Sequence, residues 1–250
     1  MSTRRQVPLS IPIADPHACS LDMRIAVCRK VPLFADLDEQ QLMQVNRHCK
    51  AQHFAAGASI YQEGDVATQI YVVAIGAVKT TRLTADGRES LIDLLTPGDF
   101  FGALPALGQQ RHADSASTLT EACLLGLDAP EYDDLMREIP QVAMATVKGV
   151  AHRLTQSQET IHMLASAPLE QRLAALLLVL ADKVGQPWDG ATLLDVPLSR
   201  EDLAAMAGAA TESVSRLLSQ WQRDGWIDSG RRWIAIVDAG RLAQIRDGLG

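Results

Sequence analysis

Six consecutive residues near the C-terminus, Thr211-Glu212-Ser213-Val214-Ser215-Arg216, place a carboxylate, three hydroxyls and a guanidinium within two helical turns. Glu212 and Arg216 are four residues apart, so on a helix they share one face. On such a face a carboxylate can accept from cytosine N4, and a guanidinium can grip guanine O6 and N7 with two bonds. Ser215 can meet a base edge or a thymine methyl. The plainer alternative is an ion pair on a solvated helix. The position of this helix as the second of a helix-turn-helix weighs against it. Segment 211–232 has four arginines (Arg216, Arg223, Arg231, Arg232) against three acids (Glu212, Asp224, Asp228), in a chain of net charge −7. A locally positive stretch in an acidic chain is where phosphate contacts fit. Thr211, Glu212, Ser213, Ser215, Arg216, Arg231 and Arg232 form the expected DNA-binding set.

Two other residue types could carry chemistry. The chain has four cysteines, Cys19, Cys28, Cys49 and Cys123. They are too few for a disulfide scaffold, and in a reducing compartment free thiol is their default. No Cys-x2-Cys spacing occurs, so zinc is not expected. The histidines (His17, His48, His53, His112, His152, His162) are scattered. A haem needs one axial ligand and an apolar pocket, and solvation is the simpler reading of each.

The elements that must position these groups follow from periodicity. A short helix is expected from Leu37 to Cys49, with Leu37, Leu42 and Val45 on its apolar side. From Gln52 to Leu127 short alternating strands are separated by turn signals such as Gly64-Asp65, Asp86-Gly87 and Gly98-Asp99. That pattern predicts an antiparallel barrel or jelly roll. After Pro140 the period changes. Val147, Val150, Leu154, Ser157, Ile161 and Leu164 follow heptad spacing, which predicts one long helix with a seam for a partner. A second copy of the chain is the simplest partner. Beyond Pro168, Ser199 with Asp202 caps one helix, Gly208 ends it, and Thr211 is expected to cap the next. Trp226-Ile227 and Trp233 to Ile236 alternate as two strands around Gly230-Arg231-Arg232. Together these make a winged helix-turn-helix, whose second helix enters the major groove.

Composition sets the outer bounds. The chain has 250 residues, 47% hydrophobic and 21% charged, which excludes wholesale disorder. The longest apolar run, Leu173 to Ala181, is too short to span a membrane. Residues 1–16 carry Pro8, Pro12 and Pro16 without an apolar stretch, so no signal peptide is expected and the chain reads as cytoplasmic. The net negative charge argues against bulk coating of nucleic acid.

Four motifs carry a resemblance: Val31-Pro32-Leu33-Phe34, Glu63-Gly64-Asp65, Pro97-Gly98-Asp99-Phe100 and Glu212-Ser213-Val214-Ser215-Arg216-Leu217. In the order roll, long helix, winged helix-turn-helix, residues 31–241 resemble the CRP/FNR family of bacterial transcription regulators. The resemblance implies an α+β fold, with an N-terminal antiparallel β-roll of the cyclic-nucleotide-binding-like jelly-roll type, a long dimerisation helix and a C-terminal winged helix-turn-helix. It divides the chain into an N-terminal arm with cysteines (1–30, flexible over 1–18), a sensory roll (31–137), a dimerisation helix (138–166), the winged domain (167–241) and a C-terminal tail (242–250). The spacing of Glu212, Ser215 and Arg216 is that of the FNR branch, since CRP proper has a further arginine where Thr211 stands and a glycine where Ser215 stands. The family implies a homodimer on palindromic double-stranded DNA of the TTGAT…ATCAA kind, RNA polymerase as a further partner, no membrane and no enzymatic activity.

The family offers several signals. Its cyclic-nucleotide-binding members have a Glu shortly after Pro-Gly-Asp and then an Arg-Ser pair on the phosphate. Here Ala103 stands at the Glu position and Arg111 is followed by His112, so cyclic AMP is not expected. Its oxygen sensors hold an iron–sulfur cluster with three N-terminal cysteines and one in the roll. The resemblance thus implies one [4Fe-4S] cluster per subunit on Cys19, Cys28 and Cys123, with Asp22 or Cys49 as fourth ligand. A thiol–disulfide switch, or a small effector without metal, are the alternatives. In FNR an aspartate in the dimer helix opposes pairing; the matching residue here is Ser157, so the dimer is expected to stand without a signal. A cupin-type metal enzyme would also use a β-roll, but strands 52–127 contain no His-x-His pair. An interaction scaffold with a decayed reading head is the other rival.

Overall fold

The structure is a computed structural model describing residues 21–32, 34–84 and 89–249. These fall into two compact units, divided between Gln158 and Glu159. The expected arm over residues 1–18, with His17, and likewise Cys19 lie outside the described residues. No helix among them is long and apolar enough to cross a membrane.

In the first unit, α1 (Leu21–Lys30) falls inside the segment expected as arm. Next comes α2 (Glu39–His48), whose Asp38 cap accepts from the Gln41 amide at 2.8 Å while the Gln41 side chain accepts from Asp38 N at 3.1 Å. That reciprocal box fixes where α2 starts. Eight strands follow: β1 (Cys49–Phe54), β2 (Ser59–Tyr61), β3 (Gln69–Ile75), β4 (Val78–Leu83), β5 (Glu89–Leu95), β6 (Phe100–Phe101), β7 (Ser115–Thr118) and β8 (Ala122–Asp128). They form two antiparallel sheets, ordered β1-β8-β3-β6 and β2-β7-β4-β5. The roll is as the alternation predicts, with one addition: its central strands are buried on both faces. Along β3, Ile70, Val72 and Ala74 join one core, while Tyr71 and Val73 join the other. The first core is closed by α1, α2, α3 (Ala129–Glu138) and the start of α4 (Pro140–Ser166), through Val27, Leu42, Tyr132 and Val142.

The long helix α4 contains all six seam positions. Five of them, Val147, Val150, Leu154, Ile161 and Leu164, are 39–66% exposed in the single chain, and Ser157 Oγ donates to the Arg153 carbonyl at 2.8 Å.

The second unit contains α5 (Leu169–Val184), β9 (Gly185–Trp188), β10 (Ala191–Leu194), α6 (Arg200–Met206), α7 (Thr211–Arg223), β11 (Ile227–Gly230), β12 (Trp233–Ile236) and α8 (Ala239–Arg246). The four strands form one sheet, β11-β12-β10-β9. The tail expected from residue 242 is not a separate segment. Asp238 accepts from the Arg241 amide at 2.8 Å and starts α8, which buries Leu242 and Ile245 and packs on α5.

Candidate nucleic-acid interface and sensory roll

The helix-turn-helix is set by local chemistry. Ser199 and Asp202 form a reciprocal box at the start of α6, with Ser199 N donating to Asp202 at 2.8 Å and Asp202 N to Ser199 at 3.0 Å. Gly208, at φ +60°, makes the turn, and a Cβ there would lie 2.7 Å from a Leu164 methyl. The left-handed backbone is what favours glycine there, since the Leu164 methyl is the movable end of a side chain. One expectation is corrected here. The N-cap of α7 is Ala210, and Thr211 is its first helical residue. Ala210 is the last extended residue and Thr211 is already helical, so the helix starts one residue earlier than a Thr211 cap requires.

Within α7 the two faces separate cleanly. Val214, Leu218 and Trp221 are buried, and Leu217 is half-buried, which is the stripe expected from the sequence. Glu212 and Arg216 are exposed, with Thr211, Ser213 and Ser215 half-buried beside them. Among the described residues neither Glu212 nor Arg216 enters an ion pair, so the alternative of a structural ion pair has no support. The turn between β11 and β12 carries Arg231 and Arg232, both exposed. Arg232 has φ +64° and donates from Nε to the Pro197 carbonyl at 3.3 Å. Gly230 is required next to it, because a Cβ there would sit 2.2 Å from the Trp233 indole nitrogen.

No sequence signal points to the residue that ties these parts together. Arg200, in the first turn of α6, donates to the Ser215 carbonyl (3.4 Å) and to Ser229 Oγ (3.2 Å). It thus bridges α6, α7 and β11, and burial lowers its pKa. Gln222 adds a second clamp, exchanging hydrogen bonds with Ser229 at 2.9 and 3.2 Å. Both are ordinary polar residues in sequence; only their spatial partners mark them.

The roll's candidate site is buried. His112 stacks on Tyr61 with ring centroids 3.6 Å apart, and Tyr61 donates to Asp114 at 3.1 Å. Ala103 N donates to His112 Nδ1 at 3.3 Å, which puts the ring proton of neutral His112 on Nε2. Burial holds His112 below the usual histidine pKa and raises that of Asp114 against its hydrogen bond from Tyr61. Arg111 points elsewhere: it donates to the Gly64 carbonyl at 2.7 Å. Arg153 stands over the Phe100 ring at 4.3 Å and donates to the Phe100 carbonyl.

The described cysteines are all buried in the core closed by α1 and α2. Cys49 pairs with Leu127 across the β1–β8 ladder and Cys123 with His53. The two cysteines are therefore four residue steps apart along the strands, about 13 Å. Cys123 is disulfide-bonded, and a sulfur so engaged does not ligate iron. The side chain of Asp22 lies outside the described set. No three of the described His, Cys, Asp or Glu residues converge as metal ligands. The expected set therefore does not fit a four-ligand cluster. Instead Cys28 and Cys49 are neighbours in this core. The interaction between their side chains holds the Cys28 thiol low against the effect of burial, helped by the Arg24 cation, and drives the Cys49 thiol up.

Comparison with known proteins agrees with this arrangement. Residues 51–138 match the cyclic nucleotide-binding domain family and residues 171–245 the Crp-like helix-turn-helix domain family. The chain is 26% identical over 218 residues to the CRP-like cAMP-activated global transcriptional regulator of Mycobacterium tuberculosis, covering 87% of this chain and 97% of that one. It is 28% identical over 244 residues to the transcriptional regulatory protein btr of Bordetella pertussis, covering 97% of each. The solved structure of FixK2 from Bradyrhizobium japonicum aligns with a TM-score of 0.70 at 25% identity, over 79% of this chain and 96% of that one. A roll matching one domain family, a winged unit matching the other and relatives spanning nearly the whole chain lead to one assignment: the protein belongs to the CRP/FNR family of DNA-binding transcription regulators.

Proposed function

We propose that this regulator acts as a cytoplasmic homodimer, without enzymatic activity, on an FNR-like palindrome, and that it answers a redox signal through its cysteines. The observation that carries the reading is α7. Its apolar face is buried while Glu212 and Arg216 stand exposed and, among the described residues, without ion-pair partners, so both remain available for base edges. Thr211, Ser213 and Ser215 flank them, and Arg231 and Arg232 serve as phosphate contacts. The dimer reading rests on α4, where an exposed row of aliphatic side chains follows heptad spacing. Burying each would contribute roughly 1.5–3 kcal/mol, and Ser157 at the seam adds no like-charge repulsion. RNA polymerase is the partner that a regulator of this family would recruit.

Cyclic AMP, named for the mycobacterial relative, fits poorly. A cyclic phosphate needs a free cation and free backbone donors. Here Arg111 is spent on Gly64 and the Ala103 amide on His112. Iron–sulfur ligation is not carried into the proposal because no three of the described ligand-type residues converge and Cys123 is disulfide-bonded, which leaves the Cys28 and Cys49 thiols as the redox element.

A gel shift of reduced protein on a TTGAT…ATCAA duplex against a scrambled duplex tests the function. Strong preference for the palindrome is expected, and equal binding would refute it. Sedimentation at micromolar concentration should give a dimer that Ser157→Asp shifts toward monomer; a wild-type monomer would refute that part. Protein prepared and reconstituted without oxygen should lack visible sulfur-to-iron bands, and their appearance would restore the cluster.

A further inference from the structure

Cys28 sits in the last turn of α1 and Cys49 at the junction of α2 with β1, yet both belong to one buried core. Both are free cysteines, and the packing of α1 on α2 makes them neighbours whose thiols influence each other. The polar groups around them converge on the same junction. The Arg24 guanidinium donates to the Asn46 carbonyl at 3.0 Å and to the Cys49 carbonyl. His48 Nδ1 lies 3.8 Å from Glu131. Two neighbouring thiols, beside a guanidinium and walled by Val27, Val31, Leu42 and Val45, make a compact dithiol centre. A fixed cation beside the thiols argues against a bound metal cation and favours an anionic sulfur as a reaction intermediate.

We infer that Cys28 and Cys49 form a reversible intramolecular disulfide in response to a hydroperoxide, and that this bond is the regulatory event of the redox reading above. Cys28 sulfur attacks one oxygen of hydrogen peroxide. The O–O bond breaks, the thiol proton passes to the departing hydroxide, and Cys28 sulfenic acid and water result. Cys49 sulfur then displaces the sulfenic hydroxyl, which leaves as water with the Cys49 proton. Two thiols lose two electrons and one peroxide becomes two waters. A dithiol reductant reverses the step by exchange. Burial makes the rate depend on local opening around α1, which a small hydroperoxide needs less of than a bulky electrophile does.

The consequence travels through the shared core. Closing the two sulfurs to a bond of about 2.05 Å draws α1 toward the start of β1. The same core holds Tyr132, Leu135 and Val142. Tyr132 is hydrogen-bonded to Thr146 of α4, so the α3–α4 junction must repack when the sulfurs close. The site stands on its own geometry; its effect on DNA rests on the regulator reading.

Trypsin makes the test direct. Cleavage after Arg24, Arg29, Arg47 and Lys50 releases Cys28 on Ile25–Arg29 and Cys49 on His48–Lys50. Full-length wild-type protein treated with hydrogen peroxide, then alkylated and digested, should yield these two peptides as a linked pair. The pair should be lost after dithiothreitol and in Cys49→Ala. In the same samples, affinity for the palindrome should shift at least threefold on oxidation and return on reduction. Absence of the linked pair in wild type, or its presence with affinity unchanged within twofold, would overturn the inference. If the reduced protein shows no preference for the palindrome, the DNA-binding reading fails instead, and the peptide alone judges the thiol chemistry.

Discussion

The winged unit and the roll solve opposite problems with the same apolar packing. In the winged unit, buried Val214, Leu218 and Trp221 hold a helix whose other face is left for a ligand. The residues proposed to read bases, Glu212 and Arg216, are exposed and enter no ion pair among the described residues. In the roll, the residues with chemical potential are turned inward and satisfied by the chain itself. His112 takes the Ala103 amide, Tyr61 reaches Asp114, Arg111 binds Gly64, and Cys28 meets Cys49. A reading head must keep its hydrogen-bonding capacity for the partner. A sensor can store its capacity inside and change state when an internal contact changes. The difference teaches where to look for each function: on the surface of α7, and in the cores of the roll.

The two units also carry separate reporters. All four tryptophans (Trp188, Trp221, Trp226, Trp233) lie in the second unit and all three tyrosines (Tyr61, Tyr71, Tyr132) in the first. The largest effect expected is from Trp221→Ala, since Trp221 is 0% exposed and such truncations cost about 3–5 kcal/mol. Denaturation followed by the remaining tryptophans should show that loss, with the tyrosine signal little changed. Equal losses in both signals would show the two units unfolding as one and break the comparison. Next in size is Arg216→Ala, which should cost about 1–3 kcal/mol on the palindrome and under about 0.5 kcal/mol in stability. Arg231→Ala should instead weaken palindromic and random DNA alike and reduce the salt slope by about one. If Arg216→Ala weakens both DNAs equally, α7 does not read bases.

Arg200→Ala sharpens the contrast inside the winged unit. Losing its two long hydrogen bonds should cost about 0.5–1.5 kcal/mol of stability in the tryptophan signal, with weaker binding to every DNA as α7 and β11 lose their tie. The smallest effect concerns His112. Burial holds its folded pKa below the usual value near 6.5, so between the two values the unfolded chain binds the extra proton. Stability in the tyrosine signal should therefore be level above about pH 6.5 and fall as pH drops through that value. Asp114, raised by burial, works the other way at lower pH: its folded form takes up a proton first and offsets part of the loss. His112→Asn should remove the fall near 6.5; an unchanged profile would mean that the imidazole is not the group responsible.

The sequence alone determined the order of roll, long helix and winged helix-turn-helix and the buried face of α7, because both depend on local periodicity. The heptad seam, the alternation in β3, the Ser199–Asp202 box and the Glu212–Arg216 spacing are properties of neighbouring residues, and neighbours fix helix and strand faces. Even there, a one-residue matter such as the cap of α7 turned on whether Thr211 was already helical. The tail was missed because α8 depends on Leu242 and Ile245 finding α5, far away in sequence. The cysteines show the limit most clearly. The family resemblance grouped Cys28 with Cys19 and Cys123 and left Cys49 as an alternative to Asp22 for the fourth ligand. The β1–β8 register then set Cys49 and Cys123 four steps apart, and the packing of α1 on α2 brought Cys28 to Cys49. Strand register and helix docking are decided by which distant apolar faces are buried together, so which sulfur touches which was decided only in the folded chain.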